Sequence, residues 1–186
     1  MVWEKFITLP RYRPIICNSI VDVSIDYTSG LVKRKFDVNP ITVEGKAHEY
    51  TKDDVQACFD RDVHWNNVLK SKWVPELIHV DIAQRTIIQK YYNPALSDYG
   101  PSKDITKTFP QLEEQIIEMY KFFKKHNVFK NNGSLSNLTH NEDQIIAFDF
   151  KWSTERPEGL EEELYSYDTW LSKISNTLPQ KLRDIL

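Results

Sequence analysis

Glycine is scarce in this chain, with five among 186 residues, and no G-x-x-x-x-G-K-[ST] run occurs, so a phosphate-cradling loop of that kind is excluded. Cysteine is scarcer. Cys17 and Cys58 lie in apolar surroundings without C-x-x-C spacing, which excludes a disulfide scaffold and reads as reduced core thiols of a cytoplasmic protein. The histidines (His48, His64, His79, His126 and His140) form no H-x-x-x-H and no Cys/His spacing, so a zinc site is not expected. The sequence also lacks G-x-S-x-G, and neither cysteine has a histidine partner by local motif. No stretch approaches the roughly 18 consecutive apolar residues of a membrane span. The opening M-V-W-E-K-F has no signal-peptide apolar region, so neither membrane nor export is expected. A net charge of −3 and a pI near 6.0 leave no basic excess for a phosphate backbone, so nucleic acid is not expected as a partner.

What is present is the composition of a folded protein. Hydrophobic residues at 40% and charged residues at 27% suit a globular core, and 12% aromatics exclude disorder. The length fits one domain or two tightly joined lobes. Residues 1–50 read as strand-rich. A strand within Ile15 to Tyr27, the turn Thr28-Ser29-Gly30 and a strand over Leu31 to Val38 predict a hairpin. Alternation puts Leu31, Lys33 and Lys35 on one face of the second strand and Val32, Arg34 and Phe36 on the other. Such a basic strand serves either as a solvated edge or as a source of cations for a neighbour.

Thr51-Lys52-Asp53-Asp54 reads as a capping box with Asp in place of Glu or Gln, so a helix should start near residue 52. Its apolar stripe runs through Val55, Cys58, Phe59, Trp65 and Leu69, with Asp62 on the same stripe. A carboxylate there needs a cation or must face solvent on a rotated helix. Lys33, and after it Lys35, is the expected partner. A second hairpin joins Leu77–Val80 to Arg85–Tyr92, and Asn93 to Lys107 reads as a linker. The next helix has Pro110 in its first turn, acids early, lysines late, a buried face of Leu112, Ile116, Met119, Tyr120 and Phe123, and a stop at Asn127.

The stretch from Lys130 to Lys151 is a polar loop followed by a short strand, Ile145 to Phe148, that delivers Asp149 at its tip. Asn132, Asn137 and Asp149 are placed to converge on a cation and a phosphate. A last helix is expected from about Leu160 to Ser175, with Tyr165, Trp170 and Ile174 in the core.

The spacing Asn132-x-x-x-x-Asn137, with Asp149-Phe150 twelve residues further on, resembles the catalytic loop and D-F-G of the protein-kinase-like superfamily. It is most similar to the small, divergent kinases of bacteria and their viruses. Trp73-Val74-Pro75-Glu76-Leu77-Ile78 and Asp168-x-Trp170 resemble further segments of that family. The resemblance implies an α+β, two-lobed minimal kinase-like fold. Residues 1–92 would form a small antiparallel sheet with one helix, and residues 93–186 a mainly helical lobe.

It further implies ATP and Mg2+ as cofactors, Asn137 and Asp149 as metal ligands, and Lys33 or Lys35, held by Asp62, on the nucleotide phosphates. Gln89 and Tyr91 would lie on the hinge that receives the base. Asn132 stands where the family has its catalytic Asp, Lys130 replaces the His, and Lys151 the Gly. An amide orients a hydroxyl but does not take its proton near neutral pH. Two activities therefore follow from the resemblance. One is a phosphotransferase acting on a hydroxyl of a protein or small molecule, slowed or disabled by Asn132, natural or engineered. The other is a pseudokinase-type module that binds a nucleotide or a partner without turnover.

Overall fold

The computed structural model describes residues 7–8, 20–37, 41–43, 46–48, 50–99, 102–130, 134–156 and 171–185. The fold is mixed α+β. A five-stranded antiparallel sheet has the order β1-β2-β3-β7-β6, formed by β1 (Ile7–Thr8), β2 (Val21–Asp26), β3 (Leu31–Phe36), β6 (Leu77–Asp81) and β7 (Thr86–Lys90). A separate small hairpin pairs β4 (Ile41–Val43) with β5 (Lys46–His48).

The β2–β3 turn forms where the sequence predicts it. Asp26 Oδ1 accepts the Thr28 and Ser29 amides at 2.9 and 3.3 Å, and Gly30 takes φ 63°, a left-handed conformation that costs glycine little. Helix α1 (Lys52–Val68) begins at the expected capping box: Thr51 Oγ1 accepts the Asp54 amide at 3.1 Å, and Asp54 Oδ2 accepts the Thr51 amide at 2.9 Å. The first half of its apolar stripe packs on the sheet, while Trp65 and Leu69 join a second core. Val55, Cys58 and Phe59 meet Ile20, Val21, Phe36 and Ile87, with the Phe36 and Phe59 rings edge to face at 5.5 Å.

A second core gathers around α3 (Leu112–Lys125), whose Leu112, Ile116, Met119, Tyr120 and Phe123 are all buried. The helix starts two residues later than expected. Gln111 is its N-cap, so Pro110 precedes the helix instead of opening it. Asn127 follows the last turn at φ 54°, a residue type that tolerates this stop.

The expected linker is not structureless. It carries a 3₁₀ turn (Leu96–Tyr99) and helix α2 (Ser102–Thr108), because Leu96 and Ile105 are fully buried in this core and anchor the segment. The polar loop also contains a strand that its Thr-His-Asn composition concealed: β9 (Leu138–Asn141) pairs with β10 (Gln144–Ala147), Leu138 opposite Ala147. Strands β8 (Val128–Phe129) and β11 (Thr154–Glu155) and helix α4 (Leu178–Arg183) complete the described elements. No helix among the described residues is long and apolar enough to cross a membrane.

Candidate ligand site around Asp149

Strand β10 ends at Ala147, and the chain then turns sharply. The Phe148 amide donates to the Asn137 carbonyl at 3.0 Å, and Asp149 takes φ 65°. A non-glycine residue in this region carries strain of about 1–3 kcal/mol, which aspartate bears better than most. Two contacts offset it. Phe150 is fully buried and meets Phe123 edge to face at 6.0 Å, and Lys130 Nζ donates to the Asp149 carbonyl at 2.9 Å while lying 4.7 Å from the Phe150 ring centroid.

Both oxygens of the Asp149 carboxylate are held by cations. Arg34 Nη2 donates to Oδ1 at 2.8 Å, and Lys151 Nζ donates to Oδ2 in a very short contact. Arg34 Nη2 also lies 2.7 Å from Oδ2 of Asp62, whose side chain is completely buried. Arg34 thus ties β3 to α1 and to the Asp149 turn. Burial alone would raise the Asp149 pKa, but Lys151, Arg34 and Lys130 outweigh it and hold the carboxyl well below the usual range. For Arg34, burial pulls the pKa down, and Asp62 and Asp149 more than reverse it. Lys130 is lowered to about 7, chiefly because burial disfavours its charge, with Asp149 opposing.

Helix α1 grips the same segment further along. Arg61 Nε donates to the Lys151 carbonyl at 2.8 Å and Trp65 Nε1 to the Ser153 carbonyl at 3.1 Å. On its other side Asp62 Oδ1 accepts from Asn66 Nδ2 at 2.7 Å, and Asn66 Oδ1 accepts from Gln89 Nε2, also at 2.7 Å. Asn66 and Gln89 are buried, so each amide depends on the other. Asn66→Ala should therefore cost about 2–3 kcal/mol in urea unfolding, because it strands a donor and an acceptor. A cost below about 0.5 kcal/mol would mean that water replaces the amide.

The expected partner of Asp62 is corrected: the cation is Arg34, neither Lys33 nor Lys35. The face of β3 that meets α1 carries Arg34 and Phe36; Lys33 is half-buried in the opposite register, and Lys35 is exposed, 3.5 Å from Asp37. Gln89 is buried and its side chain serves the Asn66 network. The Tyr91 amide donates to the Gly30 carbonyl at 2.8 Å, and its ring stands edge to face with Tyr27 at 5.5 Å. Asn137 is half-buried beside the Asp149 turn, its carbonyl joined to Phe148. Asn132, Asp168 and Trp170 lie outside the described residues.

The sequence reading missed Arg34, and it treated Lys130 and Lys151 only as replacements. A signal for Arg34 was present: Phe36, the largest apolar residue of β3, marks the core face, and alternation places Arg34 with it.

A divalent ion fits this arrangement poorly. Magnesium demands near-octahedral oxygen donors, yet both Asp149 oxygens already serve protein cations. Among the described residues no three His, Cys, Asp or Glu side chains gather as a metal-holding group. Arg34 and Lys151 match the charges of Asp62 and Asp149, and Lys130 tips the balance positive, which suits an anion, only as pH falls through about 7. Comparison with known sequences adds no family to this geometry: no family model matches the chain, and neither does any curated protein.

Proposed function

We propose that the chain is a kinase-like, two-lobed nucleotide-binding protein that does not carry out metal-dependent phosphoryl transfer. The order of elements supports this reading: hairpin, helix with a buried acid, second hairpin, long helix, Asn-bearing loop, then strand-Asp-Phe. A cation on the third sheet strand paired with an acid of the first large helix is the arrangement that kinases use beside the nucleotide phosphates. The observation that carries the proposal is the Arg34 side chain bridging Asp62 and Asp149. It supports a phosphate site at that point. The occupied carboxylate and the amide of Asn132 weigh against turnover.

The second reading, an ATP- and Mg2+-dependent phosphotransferase, draws on the adjacency of Asn137 to the Asp149 turn. One assay separates the two. The chain and its Asn132→Asp variant are incubated with labelled ATP, Mg2+ and a cell lysate. The expected result is ATP binding by both and label transfer by neither. Transfer by the Asn132→Asp variant, or by both proteins, overturns the proposal in favour of the phosphotransferase.

A further inference from the structure

Lys151 is the member of the cluster whose presence the nucleotide reading does not by itself explain. Resting on that reading, we propose that the Lys151 ammonium is the site's built-in counter-ion to Asp149, so that the phosphates of a nucleoside di- or triphosphate bind on Lys151 and Arg34 without a metal.

Three observations meet here. The first is occupancy. Lys151 Nζ bonds Asp149 Oδ2 while Arg34 Nη2 bonds Oδ1, so the carboxylate is neutralised on both oxygens, and a divalent ion would have to expel an ammonium to reach it. The second is an unmatched donor. Arg34 is 5% exposed, and among the described residues its Nη1 has no hydrogen-bond partner. A buried guanidinium N–H pair without an acceptor is costly, and the rigid planar fork holds it beside the Nη2 group that faces Asp149. Nη1 is itself sealed from solvent, so a phosphate oxygen would satisfy it only after a local opening of the site.

The third is access. The Asp149 and Lys151 side chains are 15% and 11% exposed, whereas those of Arg34 and Asp62 are 7% and 0%. A ligand arriving from solvent therefore meets the Asp149–Lys151 pair before Arg34, and Lys151 is the cation of that pair. Its ammonium has three donors and directs one at Asp149, so it can receive a phosphate without leaving the carboxylate. Magnesium would normally supply that bridge of charge between carboxylate and phosphate. Here a lysine next but one in sequence to the acid supplies it, which makes the neutralisation permanent and independent of metal concentration.

The test is calorimetric titration of ATP into the full chain, once in EDTA and once in Mg2+. The wild type should bind with Kd values agreeing within about threefold. Lys151→Met, which keeps the stem and removes the charge, should lose at least about tenfold in EDTA, the scale of one charge-assisted contact. Mg2+ should restore part of that loss by occupying the vacated carboxylate. Lys151→Arg should keep the metal independence, and with the wild type it decides the matter even if Lys151→Met does not fold. A wild type that binds ATP more than about tenfold tighter with Mg2+, or a Lys151→Met form unaffected in EDTA, overturns the inference and leaves nucleotide binding standing. Failure of the wild type to bind ATP in either buffer overturns both.

Discussion

Arg34→Met is expected to destabilise the protein by about 3–5 kcal/mol, the cost of leaving a buried charge without its partner. The reason lies in Asp62, whose side chain has no solvent exposure, and in Asp149, which loses one of its two cations. The Asp62 charge would then persist only at a large desolvation cost. Removing the charge on both sides should be milder. Arg34→Met combined with Asp62→Leu is expected to recover a large part of the loss, because an apolar pair of similar volume often replaces a buried ion pair at little cost. Arg34→Lys should fall between, since an ammonium lacks the planar fork. Urea unfolding of the four proteins reads these differences. A cost below about 1 kcal/mol for Arg34→Met, the range of an exposed pair, would show that the Arg34 bridge is not the joint described here.

Stability should also rise with pH above neutrality, and Lys130 is the cause. Its pKa is lowered from 10.5 to about 7 in the folded chain because burial disfavours its charge. Between those values the unfolded chain holds a proton that the folded chain has released, so unfolding becomes harder as pH rises through this window. The gain is on the order of a few kcal/mol by about pH 10 and is already under way by about pH 8. Below about pH 7 both states hold the proton and Lys130 adds no slope.

Asp149 acts at the other end. Its folded pKa is depressed, so its contribution is full above the ordinary carboxylate range of about 4 and is lost as pH falls below it. Cys58 and Tyr91 have raised pKa values, from 9.0 and 10.0, chiefly through burial, and stay protonated in the folded chain near about pH 8. The informative quantity is therefore the difference between the wild type and Lys130→Met from about pH 6 to 9. The variant should lose the upward slope. Its gain at the acid end should be smaller than the slope implies, because the Asp149 carbonyl loses its 2.9 Å donor. Equal slopes in the two proteins would contradict the assignment.

Helices α1 and α3 and the first hairpin were legible because local chemistry decides them, whereas most of the helix expected from about Leu160 to Ser175 lies outside the described residues and 172–175 are not helical. The Thr51/Asp54 box, the α1 stripe and the buried face of α3 stand where periodicity puts them. The turn at Gly30 does too. Strand β9 was not legible, since its pairing with β10 is set by the neighbour and not by Leu-Thr-His-Asn itself. Helix α2 was hidden for a related reason: Leu96 and Ile105 are single apolar residues in a polar segment, and their burial is visible only with the second core in place.

At the site, Asp62 on the apolar stripe announced a buried ion pair, and that pair exists. Its partner was misassigned because lysine was sought where the strand offered arginine on the core face. Lys130 and Lys151 escaped because their significance comes from the left-handed turn at Asp149, which brings residues 19 positions and two positions away onto opposite ends of one aspartate.

The most direct measurement is a crystal structure of the chain with ATP grown in excess Mn2+, read by anomalous scattering. The account predicts phosphate oxygens on Lys151 Nζ and Arg34 Nη1, with the Lys151–Asp149 contact kept and no manganese on Asp149. A manganese ion bonded to Asp149 and Asn137, with Lys151 turned away from the carboxylate, would contradict it.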